Sequence, residues 1–420
     1  MIKEIFIALG SLADRRFWLF AGSGLIVSVA YIDPGNWGTN IGAGSGLNYE
    51  LLWVIWMASG MAMLFQYLSG KLGIAGHSLP DLVRLKLKKK PLVLTYWFFS
   101  ELAILATDLA EFLGIVVALQ LLFGIPMIWG TFLAVLDVLL FFVLFKDKLR
   151  RFEQAFAVFV SIIGFGFLYE VILSKPDLGL IAYHSMVPLL TQDNILLVVG
   201  IIGATVMPHA LYVHSWLIKN KMSDFPNLTQ KQATRFHLVD NIIFLSIAGV
   251  INAAMLIMAA AAFYGLTTDV ASLESAYSTL TPLFGPMASI VFGSALLAAG
   301  ISSSITGTLA GQALMDGLTD FKVSVWLRRL ITRVINVIPL TIAILIGLEP
   351  IKLLIYSQVI LSLLIPLPLI PIIYFSSKKS IMGEISNRKM TTVLAWVCAG
   401  VILCFNIYLL YSFFFLGVTL

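Results

Sequence analysis

The sequence predicts an all-α membrane protein of eleven spanning helices, built as two inverted five-helix halves plus one appended helix, with the first and sixth helices broken near the bilayer midplane. Three observations predict it. Of 420 residues, 60% are hydrophobic and only 12% charged, against roughly 25% charged in soluble domains. So little charge could not cover a water-soluble globule of this size. Apolar runs able to cross about 30 Å of hydrocarbon, roughly 20 residues each, recur along the whole chain. The basic residues collect on alternate connections between them. These features exclude soluble enzymes, nucleic-acid-binding proteins and secreted disulfide scaffolds.

The first apolar stretch, Ile5 to Leu12, is short and runs into Asp14-Arg15-Arg16 without a small-residue cleavage pattern, so no cleavable signal is expected. Spans are expected at about 17–46, 49–70, 93–123, 127–145, 153–173, 194–218, 238–264, 284–314, 330–348, 351–376 and 391–418. They must be helical, because unpaired backbone groups cannot face lipid and no ten-residue alternation of a barrel is present. With the N-terminus in the cytoplasm, inner segments hold 25 of the 27 basic residues, and only Lys175 and Lys352 fall outside. A shift by one helix would scramble this asymmetry, so the positive-inside rule supports both the orientation and the number eleven. The C-terminus is then extracytoplasmic.

The chain is expected to be one transmembrane domain over 1–420, with repeat one at about 17–173, repeat two at about 194–376 and the extra helix at about 391–418. No soluble domain or long linker is expected beside it. Cys398 and Cys404 share one apolar run and read as packing residues. The sequon Asn227-Leu228-Thr229 falls on an inner loop and reads as a chance match.

Two spans carry breakers near their middles. In Tyr31-Ile32-Asp33-Pro34-Gly35-Asn36-Trp37-Gly38, Pro34 lacks a donor and Gly35 tolerates unusual dihedrals; Gly203-Ala204-Thr205-Val206-Met207-Pro208-His209 repeats the pattern in the sixth span. Five is an odd number of helices, so a second half of five must insert upside down. Broken helices at matching positions of inverted halves point to a midplane site. Ordinary proline kinks are the plainer alternative, but the neighbouring polar residues weigh against it. An acid such as Asp33 costs about 2.5–3.5 kcal/mol at the bilayer centre even on the lenient scale. It stands one residue before a break, where a cation could neutralise it. Asn36 adds an amide oxygen, and the second break offers the Ala204 carbonyl and the Met207 thioether. Oxygen donors suit manganese(II) or iron(II), while soft sulfur offers nothing to magnesium or calcium.

The third span places Glu101, Asp108 and Glu111 on one face, with Asp108 about 20° from Glu101 and Glu111 about 60° from Asp108 at 100° per residue. Two readings stand: proton transfer, or a buried ion-pair network with Arg333 and Arg329. Both hold together if the network exchanges partners. His209, just after Pro208, is placed to accept a proton, and His214 reads as a structural or pathway residue rather than a ligand. His77, His184 and His237 lie in or near loops and receive no role; Asp137 is an intramembrane acid without an evident purpose.

Together these motifs resemble the Nramp family of proton-coupled divalent-metal transporters over nearly the whole length. Asp33-Pro34-Gly35-Asn36 is similar to its first-helix signature and Met207-Pro208-His209 to its sixth. Ala106-Thr107-Asp108-Leu109-Ala110-Glu111, Thr306-Gly307-Thr308-Leu309-Ala310-Gly311-Gln312 and Ser357-Gln358-Val359 are similar to its third, eighth and tenth helices. The resemblance implies a LeuT-type fold and alternating access. It implies metal coordination by Asp33, Asn36, the Ala204 carbonyl and Met207, with Gln358 joining in some conformations. Proton traffic would run by Asp33 or His209 toward Asp108, Glu111 and Arg333. Ile301, where glutamine is usual, and Ala210, where asparagine is usual, depart from the pattern and bear on coupling and ion ranking.

The expected function is import of manganese(II) and/or iron(II) with protons, with cobalt(II), cadmium(II) and zinc(II) as further substrates and no resident cofactor. Expected partners are the metal ion, protons and the lipid bilayer of a cell membrane, with no nucleic acid, and the chain working as a monomer. The competing readings are an amino-acid/cation symporter on the same scaffold, and a divergent relative with altered ion selectivity or loose proton coupling. An unpaired Asp33 at the centre disfavours a substrate carboxylate. An enzyme would need a water-activating cluster such as HExxH, which is missing, and a sensor would ordinarily carry a soluble output domain.

Overall fold

The computed structural model describes residues 10–137, 149–265, 273–319 and 323–415; among them there is no strand. The spanning helices are α1 (Ser23–Ala30 and Pro34–Leu47), α2 (Leu52–Ile74), α3 (Lys90–Phe123), α4 (from Met127–Ala134 toward Asp137), α5 (Leu149–Ser174) and α6 (Ile195–Thr205 and Pro208–Met222). They continue with α7 (Gln230–Phe263), α8 (Pro286–Leu318), α9 (Val325–Leu345), α10 (Pro350–Leu364 and Pro366–Ser376) and α11 (Lys389–Phe415). The expected remainders of α4, to 145, and of α11, to 418, reach outside the described residues.

Eight of these helices are long and apolar enough to cross a membrane by length and composition alone. The other three fall short for separate reasons. The break at Asp33 cuts α1 into pieces of 8 and 14 residues. Only part of α4 is described. Helix α9 carries Arg328, Arg329 and Arg333 within its 21 residues. The sides of α5, α9 and α11 expose large apolar residues such as Phe165, Ile338 and Phe414, as a lipid-facing surface requires.

Packing is reciprocal between the halves. The second piece of α1 packs along α7, while the second piece of α6 packs along α2; α3 and α8 lie against each other over most of their lengths. Exchanging 1 with 6, 2 with 7 and 3 with 8 maps these contacts onto themselves, as two inverted repeats require.

Both expected breaks occur, each followed by a proline in the first turn. Their cause is the missing N–H of Pro34 and Pro208, which would have bonded the carbonyls of Ala30 and Ala204 four residues earlier. Two further interruptions were not expected. Gly22, at φ +119°, separates α1 from the short helix Arg15–Phe20, and a Cβ there would run into Glu153. Helix α10 bends at Ile365, before Pro366, while keeping helical dihedrals, so it is kinked rather than unwound.

At the basic end of the molecule the Asp240 carboxylate accepts from the Gly22 and Gly24 amides at 2.9 and 2.7 Å. Lys221 donates to the Ala21 carbonyl at 2.9 Å and pairs with Glu153 at 2.6 Å. The free amides at the start of α1 thus gain an anionic partner. Thr229 of the sequon accepts from Gln232 N as the N-cap of α7, which gives that threonine a structural role.

Candidate metal site

Asp33 caps the second piece of α1: its Oδ1 accepts from Asn36 N at 2.8 Å. One terminal atom of the Asn36 amide lies 2.7 Å from Asp33 Oδ1 and 3.0 Å from the Ala204 carbonyl oxygen. With nitrogen in that position, the amide donates to both. With oxygen there, three oxygens converge, an arrangement that needs a proton or a cation among them. Asp33 Oδ2 is buried and has no hydrogen-bond partner. The two breaks therefore meet at one point through Asp33, Asn36 and Ala204.

Helix α10 closes a third side. A Cβ at Gly35 would collide with the Gln358 side chain, and one at Gly203 with the Gln358 carbonyl. Each break thus has a glycine where α10 comes closest. Gln358 donates to Ser357 Oγ at 3.1 Å, and its Oε1 is unpartnered. Met207 is fully buried, three residues beyond Ala204 at the cap of the next piece. Among the described residues no three His, Cys, Asp or Glu side chains converge. A cation here would meet one carboxylate and otherwise neutral donors.

The three acids of α3 part company. Glu101 pairs with Arg328 at 2.5 Å. Asp108 accepts from Arg333 at 2.9 Å and from Asn336 at 2.8 Å. Asp137, unexplained from sequence, accepts from both Arg329 and Arg333 at 2.8 Å. Arg328, Arg329 and Arg333 were grouped with the inner connections by charge counting; the structure puts them within α9, where the acids of α3 and α4 balance them. Glu111 is fully buried against Gly307 of α8, and neither of its oxygens has a partner. Asp33, Asp108 and Arg333 all lie within Coulomb range of it.

Thr107 Oγ1 donates to the Ala103 carbonyl, so at its 3.3 Å contact with His209 Nδ1 the ring nitrogen is the donor. His209 Nε2 is then a buried acceptor with no partner. His214 stands apart from the break: its Nδ1 meets Gln66 Oε1 at 2.8 Å, and Gln66 donates to the Tyr31 hydroxyl at 2.7 Å. His237, given no role from sequence, is buried in α7 with its ring 4.9 Å from that of His214.

Several buried polar groups escaped the sequence reading. Asn252 bridges Asn40 (2.9 Å) to the Tyr31 carbonyl (2.6 Å) beside the first break. Glu170 on α5 is buried with both oxygens unpartnered, one turn beyond Phe167, which with Phe292 sandwiches Trp37 at centroid distances of 4.7 and 5.0 Å. A carboxylate in an apolar run was signal enough to flag Glu170. The partners of Asn252 and His237 arise only when helices distant in sequence pack.

Comparison with known proteins decides the family. Residues 24–412 match the model of the natural resistance-associated macrophage protein-like (Nramp) family. The chain belongs to the Nramp family. As an Nramp member it is a multi-pass divalent-metal transporter and not an enzyme. A divalent metal cation transporter MntH of Deinococcus radiodurans is 45% identical over 402 residues, covering 95% of this chain and 91% of that one. Among solved structures, the Eremococcus coleocola manganese transporter in complex with an aromatic bis-isothiourea compound superposes with a TM-score of 0.85 at 32% identity, covering 96% of this chain and 90% of that one. Mhp1, a nucleobase-cation-symport-1 family transporter, shares the fold at a TM-score of 0.58 and 14% identity, over 93% and 88% of the two chains. The LeuT-type architecture expected for this Nramp chain is therefore established.

Proposed function

We propose that this Nramp protein imports manganese(II), and iron(II) beside it, together with protons, by alternating access across a cell membrane with its N-terminus in the cytoplasm. The ion is held by Asp33, the Asn36 amide oxygen, the Ala204 carbonyl and the Met207 sulfur, and Gln358 joins as α10 moves. The single observation that carries this reading is the position of the Asn36 amide, within 3.0 Å of both Asp33 Oδ1 and the Ala204 carbonyl. With its nitrogen turned inward the amide satisfies both oxygens. On loading, a half-turn of the amide replaces that hydrogen bonding with a third oxygen ligand. Relatives named as manganese and divalent-cation transporters support the choice of substrate.

One carboxylate and one thioether hold a dehydrated transition ion while letting it leave, which a transporter needs and a storage site does not. Proton transfer is assigned to Glu111 and His209 Nε2, buried groups that lack partners among the described residues, as Asp33 Oδ2 and Gln358 Oε1 do within the site. Asp108 and Arg333 provide the onward step, and Glu101 with Arg328 a more distant one. His214 belongs to the polar chain that runs through Gln66 to the Tyr31 hydroxyl beside the first break. All donors come from one chain, so a monomer suffices.

The test is manganese uptake into proteoliposomes under an inward proton gradient, with iron, cobalt, cadmium and zinc as competitors. Asp33→Ala is expected to abolish uptake; wild-type uptake by that variant would remove the site assignment.

A further inference from the structure

Outside the transport path, at the same end as the Asp240 and Lys221 contacts, an apolar groove of about 440 Å³ opens between the short helix Leu79–Leu87 that precedes α3, α3 itself at Tyr96, the second piece of α10 and α11. Leu87, Leu367, Ile370, Phe375 and Trp396 line it. At its rim the Lys86 ammonium donates to the Tyr374 hydroxyl at 3.2 Å and lies 5.2 Å from the ring centre; the Lys378 ammonium lies 4.8 Å from the same ring centre. Both lysines are exposed, and among the described residues no carboxylate pairs with either. Lys88, Lys89, Lys90 and Lys379 continue the basic surface.

Two ammonium groups gathered on one tyrosine repel each other, and the ring face offsets only part of that repulsion. Directly beneath them lies a trough with nothing polar to offer except at its mouth. A basic rim above an apolar trough at the membrane boundary matches one ligand chemistry: an anionic headgroup carrying a hydrocarbon chain. Tyr374 and Trp396 are the aromatic types that sit at that boundary.

We propose that this groove is a binding site for an anionic phospholipid, with the phosphate between Lys86 and Lys378 and an acyl chain along the trough. The site touches the moving parts. Tyr96 lines the groove, and its hydroxyl contacts the Tyr212 hydroxyl of α6 at 2.8 Å and donates to the Leu367 carbonyl, just past the α10 kink, at 2.9 Å. A bound lipid therefore braces the kinked helix that presents Gln358 to the metal site.

Trp396, in the wall, gives a direct readout. The full-length protein is reconstituted in vesicles of phosphatidylcholine mixed with brominated phosphatidylglycerol or brominated phosphatidylcholine. Quenching of Trp396 is taken as the difference between wild type and Trp396→Phe. Brominated phosphatidylglycerol is expected to quench Trp396 at about 25-fold lower mole fraction than brominated phosphatidylcholine. Each lysine should be worth a factor of about five, from about 1 kcal/mol per basic residue at an anionic surface. Lys86→Gln with Lys378→Gln should erase the preference, and Lys86→Arg with Lys378→Arg should keep it. Equal quenching by the two lipids in wild type overturns the proposal, as does a preference that survives removal of both charges. Displacement by inorganic phosphate alone would likewise overturn it, because the groove would then be a simple anion pocket. The measurement does not depend on transport, so it stands whether or not the proposed metal site is correct.

Discussion

Arg333 and Asp108 form an ion pair of 2.9 Å in the interior of the bundle, while Glu111, three residues further along α3, has no partner at all. Pairing with arginines of α9 thus divides the acids of a single helix into a paired set and a free group. Arg329 and Arg333 balance Asp108 and Asp137, and Arg328 balances Glu101. Glu111 stands outside that balance.

Removing Arg333 should be severe. Arg333→Gln leaves Asp108 without a cation, held only by Asn336, while Asp137 keeps Arg329; breaking a buried pair from one side costs about 3–5 kcal/mol. A large loss of thermal stability in detergent is expected. Combining Arg333→Leu with Asp108→Asn should recover much of it, because Asp137 and Arg329 remain paired. If Arg333→Gln melts like wild type, the network does not support the fold as described.

Glu111→Gln and Glu101→Gln should separate the two kinds of acid. The first is expected to reduce proton entry, followed by a pH-sensitive dye inside manganese-loaded vesicles, while the protein stays folded. The second should mainly cost stability through Arg328. Wild-type dye signals from Glu111→Gln would remove it from the proton path.

Met207→Ala should change which ions compete more than it changes manganese transport. Without the thioether only oxygen donors remain, and those suit calcium and magnesium as well. Uptake of radioactive manganese in excess calcium is the assay: calcium should inhibit the variant several-fold more strongly than wild type. An unchanged ranking of competitors would count against a sulfur filter.

Asp81, in the helix Leu79–Leu87 between α2 and α3, pairs with Lys219 at 2.7 Å. Burial pushes its carboxyl up, but hydrogen bonds from Lys219 and Ser78 outweigh this and hold it below the usual 3.8. A carboxylate lowered on folding adds stability that is present above its unfolded value and is lost as pH falls through the folded one. From about pH 5 to 8 the contact is therefore constant. Asp81→Asn should lower stability by the same amount throughout that range and leave the shape of the transport–pH profile unchanged. A shifted profile would place Asp81 in the coupling machinery.

Much of this was legible in the sequence because membrane insertion makes exceptions conspicuous. Pro34 and Pro208 announced the two breaks, since a proline in a spanning helix frees a carbonyl that something must use. Asp33 marked a candidate site because a charge there needs a partner. Gly22 gave no such signal, as a lone glycine is common in membrane helices. Arg329 and Arg333 were legible in part: the acids of α3 called for buried cations and these two were the candidates, but which acid each pairs with is settled only when α3, α4 and α9 pack together. Asp137 and His237 were visible but unreadable for the same reason. The partners of both lie more than 20 residues away along the chain.

The central claim is that one carboxylate and one thioether, carried by two broken helices, bind the same ion. X-ray diffraction at the manganese edge from crystals soaked in manganese(II) tests it most directly. One anomalous peak is expected, within bonding distance of Asp33, the Ala204 carbonyl and the Met207 sulfur. A peak at Glu170 or beside Asp108 instead, or a central peak out of reach of Met207, would contradict the account.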